Sequence, residues 1–130
     1  MRTQLLTYLT ANLTGTIKAS QELPYQEGNN ALYLRNMRSV YLDEPFTEQD
    51  RLVGGLDGLN INQKITNVNG YLTVDAKHRN ADLDAALTTL SSAKDITTIT
   101  GVYRREFDYI TTIENDKLTF EFQYRFYGLA

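Results

Sequence analysis

Val102-Tyr103-Arg104-Arg105-Glu106-Phe107-Asp108-Tyr109-Ile110-Thr111-Thr112-Ile113 and Leu118-Thr119-Phe120-Glu121-Phe122-Gln123-Tyr124-Arg125-Phe126-Tyr127 both alternate with a period of two. Glu114-Asn115-Asp116-Lys117 lies between them. Such alternation on either side of a short polar break predicts a β-hairpin with one buried face. With Asn115-Asp116 as the two-residue turn, a pair suited to positive φ, Ile113 faces Leu118, Thr111 faces Phe120, Tyr109 faces Phe122, Phe107 faces Tyr124 and Arg105 faces Phe126. The other face pairs Thr112 with Thr119, Asp108 with Gln123, and Glu106 with Arg125. An opposite-charge pair of the last kind is worth about 0.2–1 kcal/mol. A slip of one residue would exchange the faces, so the pattern specifies its own register. The hairpin holds 8 of the 14 aromatic residues (9 Tyr and 5 Phe) and is expected to form much of the core.

A chain of 130 residues fits one domain, 1–130, with room for a real core. Its mean hydropathy is -0.40, and it lacks the unbroken ~18–20 apolar residues that a membrane-spanning helix needs. The start, Met1-Arg2-Thr3-Gln4-Leu5-Leu6, has neither the long apolar core nor the cleavage site of a secretory signal. Asn12-Leu13-Thr14 is accordingly read as a chance glycosylation match. The absence of cysteine excludes thiol chemistry, disulfides and zinc sites with Cys ligands. A net charge of -3 gives no reason to expect phosphate-backbone binding.

Leu5, Leu9 and Leu13 recur every four residues, with Leu6 beside them, and predict an amphipathic helix over Arg2–Leu13. A short extended piece follows from Ile17, and then a loop to Asn30. Ala31–Leu42 reads as a strand with apolar residues on both parities. Asp43–Asn60 shows no clear period. It holds Pro45, Gly54, Gly55, Gly58 and five acids against one base, Arg51, and is read as a long extended loop or arm. It also carries Phe46, Leu52, Val53 and Leu56, so it is expected to be mobile in one copy and to order against a partner. Ile61–Lys77 is β-rich. Asn69-Gly70 there is either a hairpin turn or a bulge within one strand. Leu83, Ala86, Leu87, Leu90 and Ala93 predict a second helix over Asn80–Lys94, with Asn80 as cap and Asp82 and Asp84 at its positive end. Together these give an α+β domain: an antiparallel-rich mixed β-sheet packed on two α-helices, with the long arm and the C-terminal β-hairpin.

Nothing in the spacing makes a catalytic constellation. His78, the only histidine, sits between Lys77 and Arg79 with no orienting carboxylate in sequence, and reads as a polar residue at a strand end. Asp82 and Asp84, two apart, do not share a helix face. Gly54-Gly55-Leu56-Asp57-Gly58 lacks the Gly-Lys-Ser/Thr of a phosphate loop. Arg104, Arg105 and Arg125 are interleaved with Glu106 and Asp108, which favours a solvated face or a protein interface over a nucleic-acid patch. The candidate interface residues are Tyr41, Asp43, Glu44, Phe46, Leu52, Val53, Leu56, Arg104 and Arg125.

The order of elements, helix, strand, loop, long strand, helix, aromatic hairpin, resembles the tail terminator (tail completion) proteins of long-tailed bacteriophages. The residues that carry the resemblance are Met37-Arg38-Ser39-Val40-Tyr41-Leu42, Gly70-Tyr71-Leu72-Thr73-Val74-Asp75-Ala76 ahead of the helix Leu83–Ala93, Gly101-Val102-Tyr103-Arg104-Arg105-Glu106-Phe107-Asp108-Tyr109, and Leu118-Thr119-Phe120-Glu121-Phe122-Gln123-Tyr124-Arg125-Phe126. They are patterns rather than invariant signatures and cover most of the chain after residue 31. The resemblance implies a structural virion protein at the head-proximal end of the tail, assembled in the host cytoplasm. It implies a homo-oligomeric ring, typically a hexamer, that caps the tail tube, stops its polymerisation and meets a head-completion or neck protein. DNA passes through such a ring without specific binding. The resemblance further implies no catalysis, cofactor or membrane, and one long strand over Ile61–Lys77. The arm at Asp43–Asn60 is longer than in the smaller members. Two rival expectations are a head-side adaptor or stopper of the same neck and a small hydrolase built on His78.

Overall fold

Alternation over the last strand puts Leu118, Phe120, Phe122, Tyr124 and Phe126 on one side of the sheet, and that side is the floor of the core. The computed structural model describes residues 1–13, 17–20, 39–54, 60–75, 81–114 and 117–129. In chain order these form α1 (Arg2–Asn12), β1 (Lys18–Ser20), β2 (Ser39–Leu42), β3 (Phe46–Gly54), β4 (Asn60–Asp75), α2 (Ala81–Ser92), a 3-10 turn (Ala93–Asp95), β5 (Arg104–Glu114) and β6 (Lys117–Leu129). The sheet runs β1-β2-β4-β6-β5, with β3 also paired to β4. All its pairings are antiparallel except that of β1 with β2. The described residues thus form a small α+β domain with two helices.

β5 and β6 pair with Ile113 opposite Leu118, Tyr109 opposite Phe122 and Phe107 opposite Tyr124, the register that the alternation sets. Their turn, 115–116, lies outside the described residues. β4 runs unbroken for 16 residues. Gly70 is therefore neither a hairpin turn nor a bulge. It sits opposite Phe122 and Leu42, and a Cβ there would collide with the Phe122 ring and lie 2.5 Å from the Tyr41 carbonyl oxygen. Glycine is required because an aromatic ring packs directly on the backbone.

The helices cover one side only. Leu5 and Leu9 of α1 and Leu83, Ala86 and Leu90 of α2 close over Val40, Leu42, Val68, Leu72 and Val74 and the inward row of β6. Tyr124 ties the layers together. Its ring is fully buried, and its hydroxyl donates to the Leu90 carbonyl at 2.5 Å. Burial, and then the nearby Tyr8, pushes its phenol well above the usual 10. Coverage stops at β6. On the same side of β5, Phe107 is half-buried, while Tyr109 and Ile113 stay 48% and 64% exposed. Only half of the hairpin's apolar face is core.

One expectation is overturned. Asp43–Asn60 is not an extended loop, because residues 46–54 form β3, paired with β4 from Phe46 opposite Asn67 to Gly54 opposite Asn60. The alternation test missed it because Phe46, Thr47, Glu48 and Gln49 are all exposed, so neither face demands apolar residues. β2 and β3 lie end to end along the same edge of β4. Asp43-Glu44-Pro45 on one strand stands against Val68 and Asn69 on the other, and Asp43 N–H donates to the Asn69 carbonyl at 2.7 Å. The extra residue lets β2 turn its even-numbered and β3 its odd-numbered residues to the helix side, so Phe46 stands on the opposite face.

Phe122→Ala should cost on the order of 3–5 kcal/mol in denaturant unfolding. Gly70→Ala should cost about 1–3 kcal/mol, because the Phe122 ring must move. Stability should hold up to pH ~10 and fall above it, since the unfolded phenol of Tyr124 ionises there while the folded one stays protonated. Tyr124→Phe should flatten that alkaline slope by up to about 1.4 kcal/mol per pH unit, the value of one proton. A series of unfolding curves between neutral and alkaline pH reads this directly.

Candidate interaction surface

The odd-numbered residues of β4 and β6 form the sheet face turned away from the helices. Cross-strand register groups them in rows: Tyr41, Tyr71, Glu121 and Ile110; Asn69, Gln123 and Asp108; Phe46, Asn67, Arg125 and Glu106; Ile65, Tyr127 and Arg104. Two aromatic and arginine clusters stand on it.

The first cluster is at the end of β2. The Arg2 guanidinium lies 5.9 Å from the centre of the Tyr41 ring. Its Nε donates to the Leu42 carbonyl at 2.9 Å, and Nη1 pairs with Glu44 Oε1 at 3.1 Å. The Tyr41 and Tyr71 rings stack at 6.5 Å. Both phenols are raised, first by desolvation and then by the negative charge of Asp43. One side chain of the first helix thus pins the strand end that leads into β3.

The second cluster is at the end of the hairpin. Two guanidinium groups share one ring, Arg104 at 5.2 Å and Arg125 at 5.4 Å from the centre of Tyr127. The Glu106 carboxylate takes Arg104 Nη2 at 2.6 Å and accepts the Tyr127 hydroxyl at 3.2 Å. The expected Glu106–Arg125 ion pair is therefore not formed, although the two residues are opposite in register. Arg104, two positions along the same strand, takes its place. Arg125 Nε is buried without an acceptor among the described residues, and so is Nδ2 of Asn67, its register partner on β4. A buried donor without an acceptor is destabilising by about 1–3 kcal/mol.

Of the nine candidate interface residues, Tyr41, Asp43 and Glu44 belong to the first cluster, and Arg104 and Arg125 to the second. Phe46 begins β3 with 44% of its surface exposed. Leu52 and Val53 are on β3, at a register shift between Arg51 and Val53. Leu56 lies outside the described residues, as does His78. Among the described residues, no three His, Cys, Asp or Glu converge as metal ligands, and no helix is long and apolar enough to cross a membrane.

Sequence reasoning named Arg105 but missed its role, whose signal was its place on the apolar face of the hairpin. It donates Nη1 to the Lys94 and Ile96 carbonyls at 2.9 and 2.8 Å, and Nη2 to the Ile99 carbonyl at 2.6 Å. These acceptors lie on the 3-10 turn and in the segment after it, where the Ile96 carbonyl also accepts the Ile99 N–H at 3.3 Å. The charge that breaks the apolar pattern thus fastens the second helix to the hairpin. No protein-family model matches the chain, and no curated protein matches it.

Arg105→Ala should destabilise by about 2–3 kcal/mol, and Arg105→Lys should recover little of this, because one ammonium cannot span three carbonyls as the guanidinium fork does. Denaturant midpoints of the two variants check both statements.

Proposed function

We propose that this chain is a tail terminator of a long-tailed phage, a structural protein that assembles as a ring on the finished tail tube, stops its growth and presents a surface to the neck. One observation carries this reading. The segments that bear the resemblance come together in β2, β4, β6 and β5, adjacent strands of one sheet, with α2 packed on one side. Among the described residues, its face away from the helices and its β3 carry exposed charged, aromatic and apolar side chains, Glu121, Phe46 and Ile110 among them. That distribution supports a protein whose work is contact. The ring would be a head-to-tail hexamer, with the tube protein on one side and a head-completion protein on the other. Exposed acids near β3, Glu44 and Glu48 among them, would disfavour adhesion of the DNA that passes.

The test is to mix the purified protein with polymerising tube subunits and measure tube lengths by electron microscopy. A terminator shortens and narrows the length distribution at substoichiometric amounts. Tubes of unchanged length, together with binding to portal complexes alone, would assign the chain to the head side as an adaptor or stopper. Phe46→Ser, at an exposed position, should leave the thermal midpoint within about 1–2 °C, equivalent to the ±0.5 kcal/mol of an ordinary surface change. The same variant should lower capping efficiency.

A further inference from the structure

β5 ends the sheet. Among the described residues its 11 residues pair with β6 on one edge and with no strand on the other. Free N–H and C=O groups along a regular edge form a template for another strand. Residues 104–114 include no Lys, Pro or Gly and pair with β6 without a register shift, while the charged residues Arg104, Arg105, Glu106, Asp108 and Glu114 restrict which strand and register the edge accepts. Exposed apolar side chains stand on both faces of this strand, Tyr109 and Ile113 on the helix side and Ile110, 62% exposed, on the other. Beside it, a groove of about 420 Å³ runs between Leu87, Thr88 and Ser91 of α2 and Phe107 and Tyr109 of β5.

We propose that β5 pairs antiparallel with β5 of a second copy, about a two-fold axis at Tyr109. Charge selects both the partner and the register. With the axis at Tyr109, Asp108 stands opposite Ile110, Glu106 opposite Thr112, Phe107 opposite Thr111, and Arg104 takes the register position of Glu114. No like charges oppose. An axis at Asp108 sets that acid against its own copy. An axis at Phe107 sets Glu106 against Asp108, one at Ile110 sets Glu106 against Glu114, and one at Thr111 sets Asp108 against Glu114. Like charges directly opposite are unfavourable. On the helix side, Tyr109 and Thr111 of the second copy fall beside the groove, and the Phe107, Tyr109 and Phe120 ring cluster continues across the axis. A two-fold contact closes at two copies. It is therefore a different contact from that of the head-to-tail ring and does not depend on that reading.

The cysteine-free chain makes the test direct. Residues opposite on the axis have Cα atoms about 4.5–5.5 Å apart, within disulfide reach. Tyr109→Cys should therefore cross-link to a covalent dimer under mild oxidation. Ile113→Cys should not, because its own copy lies roughly 27 Å away along the strand. By analytical ultracentrifugation, Ile110→Asp, which faces Asp108, should weaken the dimer roughly tenfold. Ile110→Lys, facing the same acid, should preserve it. A chain that stays monomeric at every concentration would overturn the proposal. So would cross-linking of Ile113→Cys as readily as Tyr109→Cys, or equal behaviour of the two Ile110 variants. Unaltered tube capping by Ile110→Asp would leave the terminator reading in place while the dimer stands or falls on these measurements.

Discussion

The fold rests on the pairing of β4 with β6. All thirteen residues of β6 are matched, from Lys117 opposite Asp75 to Leu129 opposite Gln63. Each strand then serves further partners: β4 receives β2 and β3 on its other edge, and β6 receives β5. The middle of the sheet is a long ladder whose inner row is Val74, Leu72, Gly70, Val68 and Thr66 against Leu118, Phe120, Phe122, Tyr124 and Phe126. Because the side-chain period is two, every neighbouring strand inherits its phase from this ladder. Gly70 keeps the ladder continuous while leaving space for the Phe122 ring, so a missing side chain on one strand and a large one on its neighbour act as a single fitted unit.

Two arginines connect the helices to this frame by the same chemistry. Arg2, at the start of α1, reaches the Leu42 carbonyl and Glu44, and Arg105, on β5, reaches three carbonyls after α2. In each case a guanidinium donates to backbone oxygens at the end of an element or in the segment after it. The hydroxyl of Tyr124 does the same from beneath α2. Polar groups at the rim and centre of an apolar layer thus fix where the helices sit, while burial of leucines holds them there.

What was legible in the sequence follows from this arrangement. Elements with one buried face announce themselves: the hairpin register, the Leu5 and Leu9 stripe, and the run Leu83, Ala86, Leu90 could all be read from spacing. β3 could not, because both its faces meet water and no period is imposed on residues 46–49. The continuity of β4 through Asn69-Gly70 was undecided, since a dipeptide that favours a turn is also what a strand needs where an aromatic ring lies on its backbone. The surface clusters were half legible. Arg104, Arg125, Tyr41 and Glu44 could be named, but that Tyr127 gathers two guanidinium groups, or that Arg2 reaches across 40 positions to β2, depends on tertiary placement.

The surplus residue at Asp43-Glu44-Pro45 works as a phase shifter. Upstream of it, even-numbered residues of the β2–β3 line point to the core, and downstream of it odd-numbered ones point to that side. Removing one residue from this junction would set two residues against Val68 and Asn69 and close the bulge, leaving Phe46 opposite Asn67 and the faces of β3 as they are. The faces of β3 are therefore set by its register on β4, and the surplus residue lets β2 and β3 keep opposite parities along one edge. The junction can thus absorb a change of length without turning over the exposed strand that follows it.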